Sequence, residues 1–178
     1  MRNRNICSAQ KMWPVTIDLK RDELLYDIKS MAYMEGETLQ NQSGEMKSHV
    51  QDICEEGNID RVNRMLDMAH AECLEMLYSY TKKPIEPITW QNNEPKSDCC
   101  RVYSIEMHMP EAMSRTTVTL LKNCVHDYMV DYVLADWLKI TNAAASAKWA
   151  SRCEEMKEKI GEAVNFRVGR VRRRQTPF

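Results

Sequence analysis

Hydrophobic positions fall into two periods along this chain, and the switches between them divide it into elements. Trp13, Val15, Ile17 and Leu19 alternate with polar neighbours, which is the period of a short half-buried strand or an extended lead-in, and Pro14 confines it to an edge. From Arg21 to about Glu35 the spacing becomes helical through Leu24, Leu25, Ile28, Met31 and Ala32, with Gly36 as a stop. The segment from Thr38 to Gly57 is polar and anchored by Met46, Val50 and Ile53. It reads as a long surface excursion or a weak strand pair. Asn58 or Asp60 then caps a helix whose stripe of Val62, Met65, Leu66, Ala69, Cys73, Met76, Leu77 and Tyr80 ends before Pro84.

Three prolines, Pro84, Pro87 and Pro95, punctuate a loop rich in Asn, Lys and Asp. Tyr103, Ile105, Met107 and Met109 alternate next, predicting a strand closed by Pro110. The segment from Arg115 to Ile140 reads as one helix with Val118, Leu121, Val125, Tyr128, Met129 and Tyr132 on its inner face. After a break at Thr141 and Asn142, the segment from Ala143 to Val164 places Trp149, Cys153, Met156, Ile160 and Ala163 in a narrow seam fitted to one partner helix. The two predict a helical hairpin, with the alanines near its turn allowing close approach. The fold class expected is mainly α with minor β. It is a helical bundle with a long C-terminal helical hairpin, one or two short strands and an extended basic arm. Residues 1–20 form the extended N-terminal segment, 21–165 the helical domain with a loop and strand insertion at 82–113, and 166–178 the arm.

Charge changes the picture at the end of the chain. Phe166 to Phe178 carries Arg167, Arg170, Arg172, Arg173 and Arg174 and no acid, which leaves 20 basic residues against all 26 acids in the preceding 165. A segment so charged and so poor in apolar side chains cannot bury enough of itself to fold alone, so it needs a partner. That partner is either the acidic body of a neighbouring copy or a nucleic-acid backbone. Those five arginines and Phe178 are the residues expected to make the contact.

Candidate chemistry is sparse. Seven scattered cysteines read as free thiols of a reducing compartment, and no spacing among them fits structural zinc. His70 and Cys73 lie at i and i+3 on one helix, the spacing of a base and its nucleophile, but Cys73 belongs to the apolar stripe. His126 stands near Asp127 and Asp131, which at one and five residues do not face it on a helix. The acidic turns Glu35 with Glu37 and Glu55 with Glu56 resemble ordinary helix ends. No phosphate loop, dinucleotide turn, nucleophile elbow or metalloprotease helix occurs. Thirteen methionines exceed ordinary usage and suit adaptable core or subunit contacts. The chain is expected to be no enzyme and to need no cofactor or metal. The N-terminus has basic charge but no apolar run, so it predicts neither a signal peptide nor a membrane span.

The layout resembles the neck proteins of tailed bacteriophages, the group of head-tail connector and head-completion proteins. The residues that carry this are the helices from Arg21 and from Ile59, the loop-and-strand insertion through Met109, and the long hairpin opening Ser-Arg-Thr-Thr-Val at Ser114. The terminal Arg-Arg-Arg-Gln-Thr-Pro-Phe completes the layout. Segments such as Leu24 to Ile28, Ala71 to Tyr78 and Leu134 to Trp137 are similar to phage and prophage proteins of gut bacteria. The resemblance implies a virion structural protein, one subunit of a homo-oligomeric ring that joins portal to tail and extends the DNA channel, assembled in the host cytoplasm. Its partners would be portal and tail or neck proteins, with non-specific contact to packaged DNA and no membrane. The competing reading is a small nucleic-acid-associated helical regulatory protein, which predicts DNA binding with steep salt dependence.

Overall fold

The computed structural model describes residues 12–38, 44–81, 102–110 and 113–165. In chain order the elements are β1 (Met12–Lys20), α1 (Arg21–Thr38), α2 (Gly44–Gln51), a 3-10 turn (Asp52–Cys54), α3 (Ile59–Met76), α4 (Tyr78–Thr81), β2 (Val102–Pro110), α5 (Arg115–Thr141) and α6 (Ala143–Asn165). The described chain is mainly helical with one small sheet, as the periodicity predicts.

The first alternating segment is a strand, and it belongs to the body of the molecule. It pairs antiparallel with β2 across a register that sets Val15 opposite Met107 and Ile17 opposite Ile105. Val15, Ile17, Leu19, Ile105, Met107 and Met109 are buried, so one face of this two-stranded sheet is core and the other is solvated. A lone pair of strands is marginal in water, and here the sheet draws its stability from helices packed on its apolar face.

Three points differ from the sequence reading. α1 runs through Gly36 to Thr38, because Gly36 is buried where α1 crosses the end of α2 and serves as a close-approach point, not a stop. A Cβ there would stand 2.7 Å from Gln51 Cγ. The polar segment before Gly57 contains a helix and a 3-10 turn and no strand pair; its anchors Val50 and Ile53 are fully buried. The stripe ending at Tyr80 is likewise interrupted, with α3 stopping at Met76 and the four-residue α4 following.

α5 is the axis of the bundle. It touches α1, α2, α3, α6 and β1. Ser114 caps its start by accepting from the Thr116 amide at 3.3 Å. Pairings fix the directions of its neighbours. Arg61 meets Asp136 and Glu72 meets Tyr128, so α3 runs antiparallel to it. Ser146 donates to the Ala135 carbonyl and Arg152 meets Asp131, so α6 does too. Asp27 meets His126, and Glu35 reaches Lys148 and Trp149 beyond the hairpin turn, so α1 runs parallel to it. The predicted seam of α6 is buried at Trp149, Cys153, Met156, Ile160 and Ala163.

Candidate functional site

The arm residues singled out by charge, Arg167, Arg170, Arg172, Arg173, Arg174 and Phe178, lie outside the described residues. What the described body offers a partner is read from its surface and from its polar clusters.

α1 is built to face both ways. Leu24, Ile28, Ala32 and Gly36 recur every four residues and are buried against α5 and its neighbours. On the opposite side Tyr26, Tyr33 and Met34 stand 74%, 55% and 64% exposed. Two shallow grooves run along this outer face. One, of about 320 Å³, is lined by Tyr26, Lys29, Ser30, Tyr33, Met34 and Gln51. The other, of about 400 Å³, is lined by Asp22, Glu23, Tyr26, Asp27 and His126. Tyr26 belongs to both, so they form one strip with an acidic end and an aromatic end.

The acidic end holds the one histidine for which the sequence offered carboxylate partners, and the partner differs. His126 Nε2 lies 2.8 Å from Asp27 Oδ2, across from α1. Asp127 is exposed, and Asp131 points into the α5–α6 seam. Glu23 is bridged by Lys20 at 2.7 Å, and this pair holds its carboxyl below the usual range. Beside His126 the groove offers carboxylates and one phenol, a set that receives cationic groups by charge and by stacking on the ring.

The other helical candidate, His70 with Cys73, sits in an environment that disfavours a thiolate. Burial, with Glu72 adding, pushes the Cys73 thiol up to about 12, so it stays protonated. Burial also holds His70 below its ordinary value; its Nε2 is enclosed without a hydrogen bond and its ring lies 5.2 Å from Tyr103. Glu35 and Glu37, the first acidic turn, are structural ties. Glu35 accepts from Lys148 at 2.7 Å and from Trp149 Nε1 at 3.2 Å, while Glu37 meets Lys47. Glu55 and Glu56 are exposed.

Two polar clusters sit between the helices. The Tyr128 hydroxyl donates to Glu72, with Lys157 3.7 Å from the same carboxylate and 5.8 Å from the Tyr128 ring centre. The second is Asp131, whose side chain is wholly buried with neither oxygen accepting a hydrogen bond. Arg152 Nε stands 3.3 Å from Oδ2 and its guanidinium lies 4.7 Å over the Trp149 ring. Burial raises the Asp131 carboxyl from 3.8 to about 6 against the opposing pull of Arg152. Burial, with Asp131 beside it, pushes the Cys153 thiol up to about 12. Both clusters tie helices together and neither opens onto one of the grooves.

The sequence pattern missed the α1 strip. Its signal was present: Tyr26, Tyr33 and Met34 fall at i, i+7 and i+8, on the side of α1 away from Leu24, Ile28 and Ala32. Among the described residues no three His, Cys, Asp or Glu side chains gather to hold a metal ion, and no helix is long and apolar enough to cross a membrane. Comparison with known proteins finds no family model that matches the chain, and no curated protein or solved structure with significant similarity to it.

Proposed function

We propose that this chain is an assembly subunit that works by docking, in its most specific form a virion structural protein of the phage neck, one copy in a ring joining portal to tail. The observation that carries the docking reading is the outer face of α1, where Tyr26, Tyr33 and Met34 stand in water on a helix whose other side is fully engaged. Exposed rings and a thioether standing beside charged groups are the surface form of a protein contact. The arm adds a second contact element of opposite charge to the body, and the neck resemblance supplies the ring geometry. The mass of the purified chain tests this. The intact chain is expected to form a higher-order species. A chain lacking Val168 to Phe178 should keep its helicity by circular dichroism and lose that species. An intact chain that stays a lone monomer, or a truncated one that assembles normally, overturns the proposal. Duplex binding by the isolated chain that falls steeply with salt would transfer the arm to the nucleic-acid reading.

A further inference from the structure

We infer that the strip on α1 is the seat of the basic arm of a neighbouring copy. This rests on the assembly reading and names the surface through which it acts. The arm brings five guanidinium groups and the apolar Phe166, Val168, Val171 and Phe178. A matching surface must therefore offer carboxylates and exposed rings together.

Exposed acids gather on α1, α3 and α6. On α3, Asp60, Asp67 and Glu75 stand with the exposed Met68, but Arg64 lies among them and Asp67 already accepts from the Tyr103 hydroxyl at 2.9 Å. On α6, Glu154, Glu155, Glu158 and Glu162 are exposed, but Lys157 and Lys159 are interleaved with them and no exposed large apolar side chain accompanies them. Along α1, Lys20 bridges Glu23 and Lys29 lines the aromatic groove, but there the acids Asp22, Glu23 and Asp27 lead into the exposed side chains of Tyr26, Tyr33 and Met34. Arginine pairs with carboxylate in two parallel hydrogen bonds and lies flat on a tyrosine ring, so the α1 strip serves both parts of the arm. From Asp22 to Met34 the strip is about 18 Å long at 1.5 Å per residue, which a short extended segment spans with residues to spare.

The seat belongs to another copy because of where α6 ends. The Tyr80 hydroxyl donates to the Val164 carbonyl at 3.5 Å, so the chain leaves the body beside α4. α6 packs on the side of α5 that presents Asp131 and Ala135, whereas α1 packs on the side that presents His126. At 100° per residue, positions 126 and 131 are separated by about 140° around the helix. An arc of about 140° at about 10 Å from the α5 axis is a path of about 24 Å, which takes roughly seven extended residues. Arg167, Arg170 and Arg172 would then be consumed in transit. A neighbour's strip carries no such detour.

Charge exchange tests this. One full-length variant carries Asp22→Arg and Glu23→Arg, both exposed positions; the other carries Arg170→Glu, Arg172→Glu, Arg173→Glu and Arg174→Glu. By light scattering each alone is expected at monomer mass, with helicity kept by circular dichroism. Mixed in equal amounts they should pair, because the first supplies an intact arm and the second an intact strip. A chain carrying both sets should regain the parental species. Tyr26→Ser, which leaves every charge in place, should weaken assembly about threefold. If the α1 variant assembles like the parent while the arm variant does not, the assembly reading stands and this seat falls. Monomers in the mixture, with α1 protected from chemical labelling by its own arm, would place the arm in its own subunit and overturn the inference. A monomeric parent overturns both.

Discussion

Asp131 is a carboxylate enclosed in a helix seam with a single off-line cation beside it, and its cost depends on pH. The folded chain holds this proton up to about 6, the unfolded chain only to 3.8, so the protonated form favours the fold. Stability from this group is full in acid and falls as pH rises through that window, by on the order of 2 to 3 kcal/mol. His70 has the opposite sign. Its folded value is lowered by burial, so stability is lost as pH falls below 6.5. Urea midpoints between pH 4 and 7 separate the two. Asp131→Asn is expected to stabilise at pH 7 and leave only acid weakening; His70→Phe, which keeps a ring against Tyr103, should leave only the alkaline decline. Arg152→Met should destabilise by about 3 kcal/mol at pH 7, since it strands a buried charge, and by less at pH 4.5, where Asp131 holds its proton. Gly36 makes a separate residue-scale point. Alanine is a better helix former by about 1 kcal/mol, while its Cβ would push aside the half-buried Gln51 side chain and with it two long hydrogen bonds of 3.4 Å. Gly36→Ala is therefore expected to leave the denaturation midpoint nearly unchanged, the two effects offsetting.

At the scale of elements, what local pattern could reveal and what it could not divide along α5. The strands, α3 and the α6 seam each bury one side, and one-sided burial leaves a period in the sequence. α5 buries nearly its whole circumference, including Cys124, Val130, Val133, Leu134, Trp137 and Leu138, so reading a single inner face from Val118 to Tyr132 undercounted its neighbours. α2 was invisible for the opposite reason: in eight residues it has too few apolar positions to establish any period, and its packing on α1 and α5 holds it in place. The Asp27 and His126 pair, 99 residues apart, was beyond any local reading, because only the path of α1 alongside α5 brings them together. Trp149 is where these elements lock. It is buried in the seam, donates to Glu35 of α1 and lies under Arg152, so Trp149→Ala removes packing, a hydrogen bond between helices and the support of the Asp131 partner. A loss of about 4 kcal/mol in folding free energy is expected, measured by chemical denaturation, against under 1 kcal/mol for the exposed Tyr33→Ala control.

For the whole molecule, the question is whether charge or apolar contact dominates the proposed self-association. The body retains 20 basic and 26 acidic residues without the arm's five arginines, so body and arm attract at long range. Such attraction is screened over about 10 Å at 0.1 M salt and about 3 Å at 1 M. The strip on α1 is also aromatic, and burial of Tyr26, Tyr33 and Met34 is not weakened by salt. The two contributions therefore separate in one titration. If the arm docks as inferred, raising sodium chloride from 0.05 to 1 M should shift the intact chain toward lower mass without dissolving the assembly, because the rings stay buried. Replacing Tyr26 and Tyr33 with serine should then make dissociation by salt complete. Association that salt does not affect at all would mean that guanidinium pairing contributes nothing, and the arm's charge would need another partner.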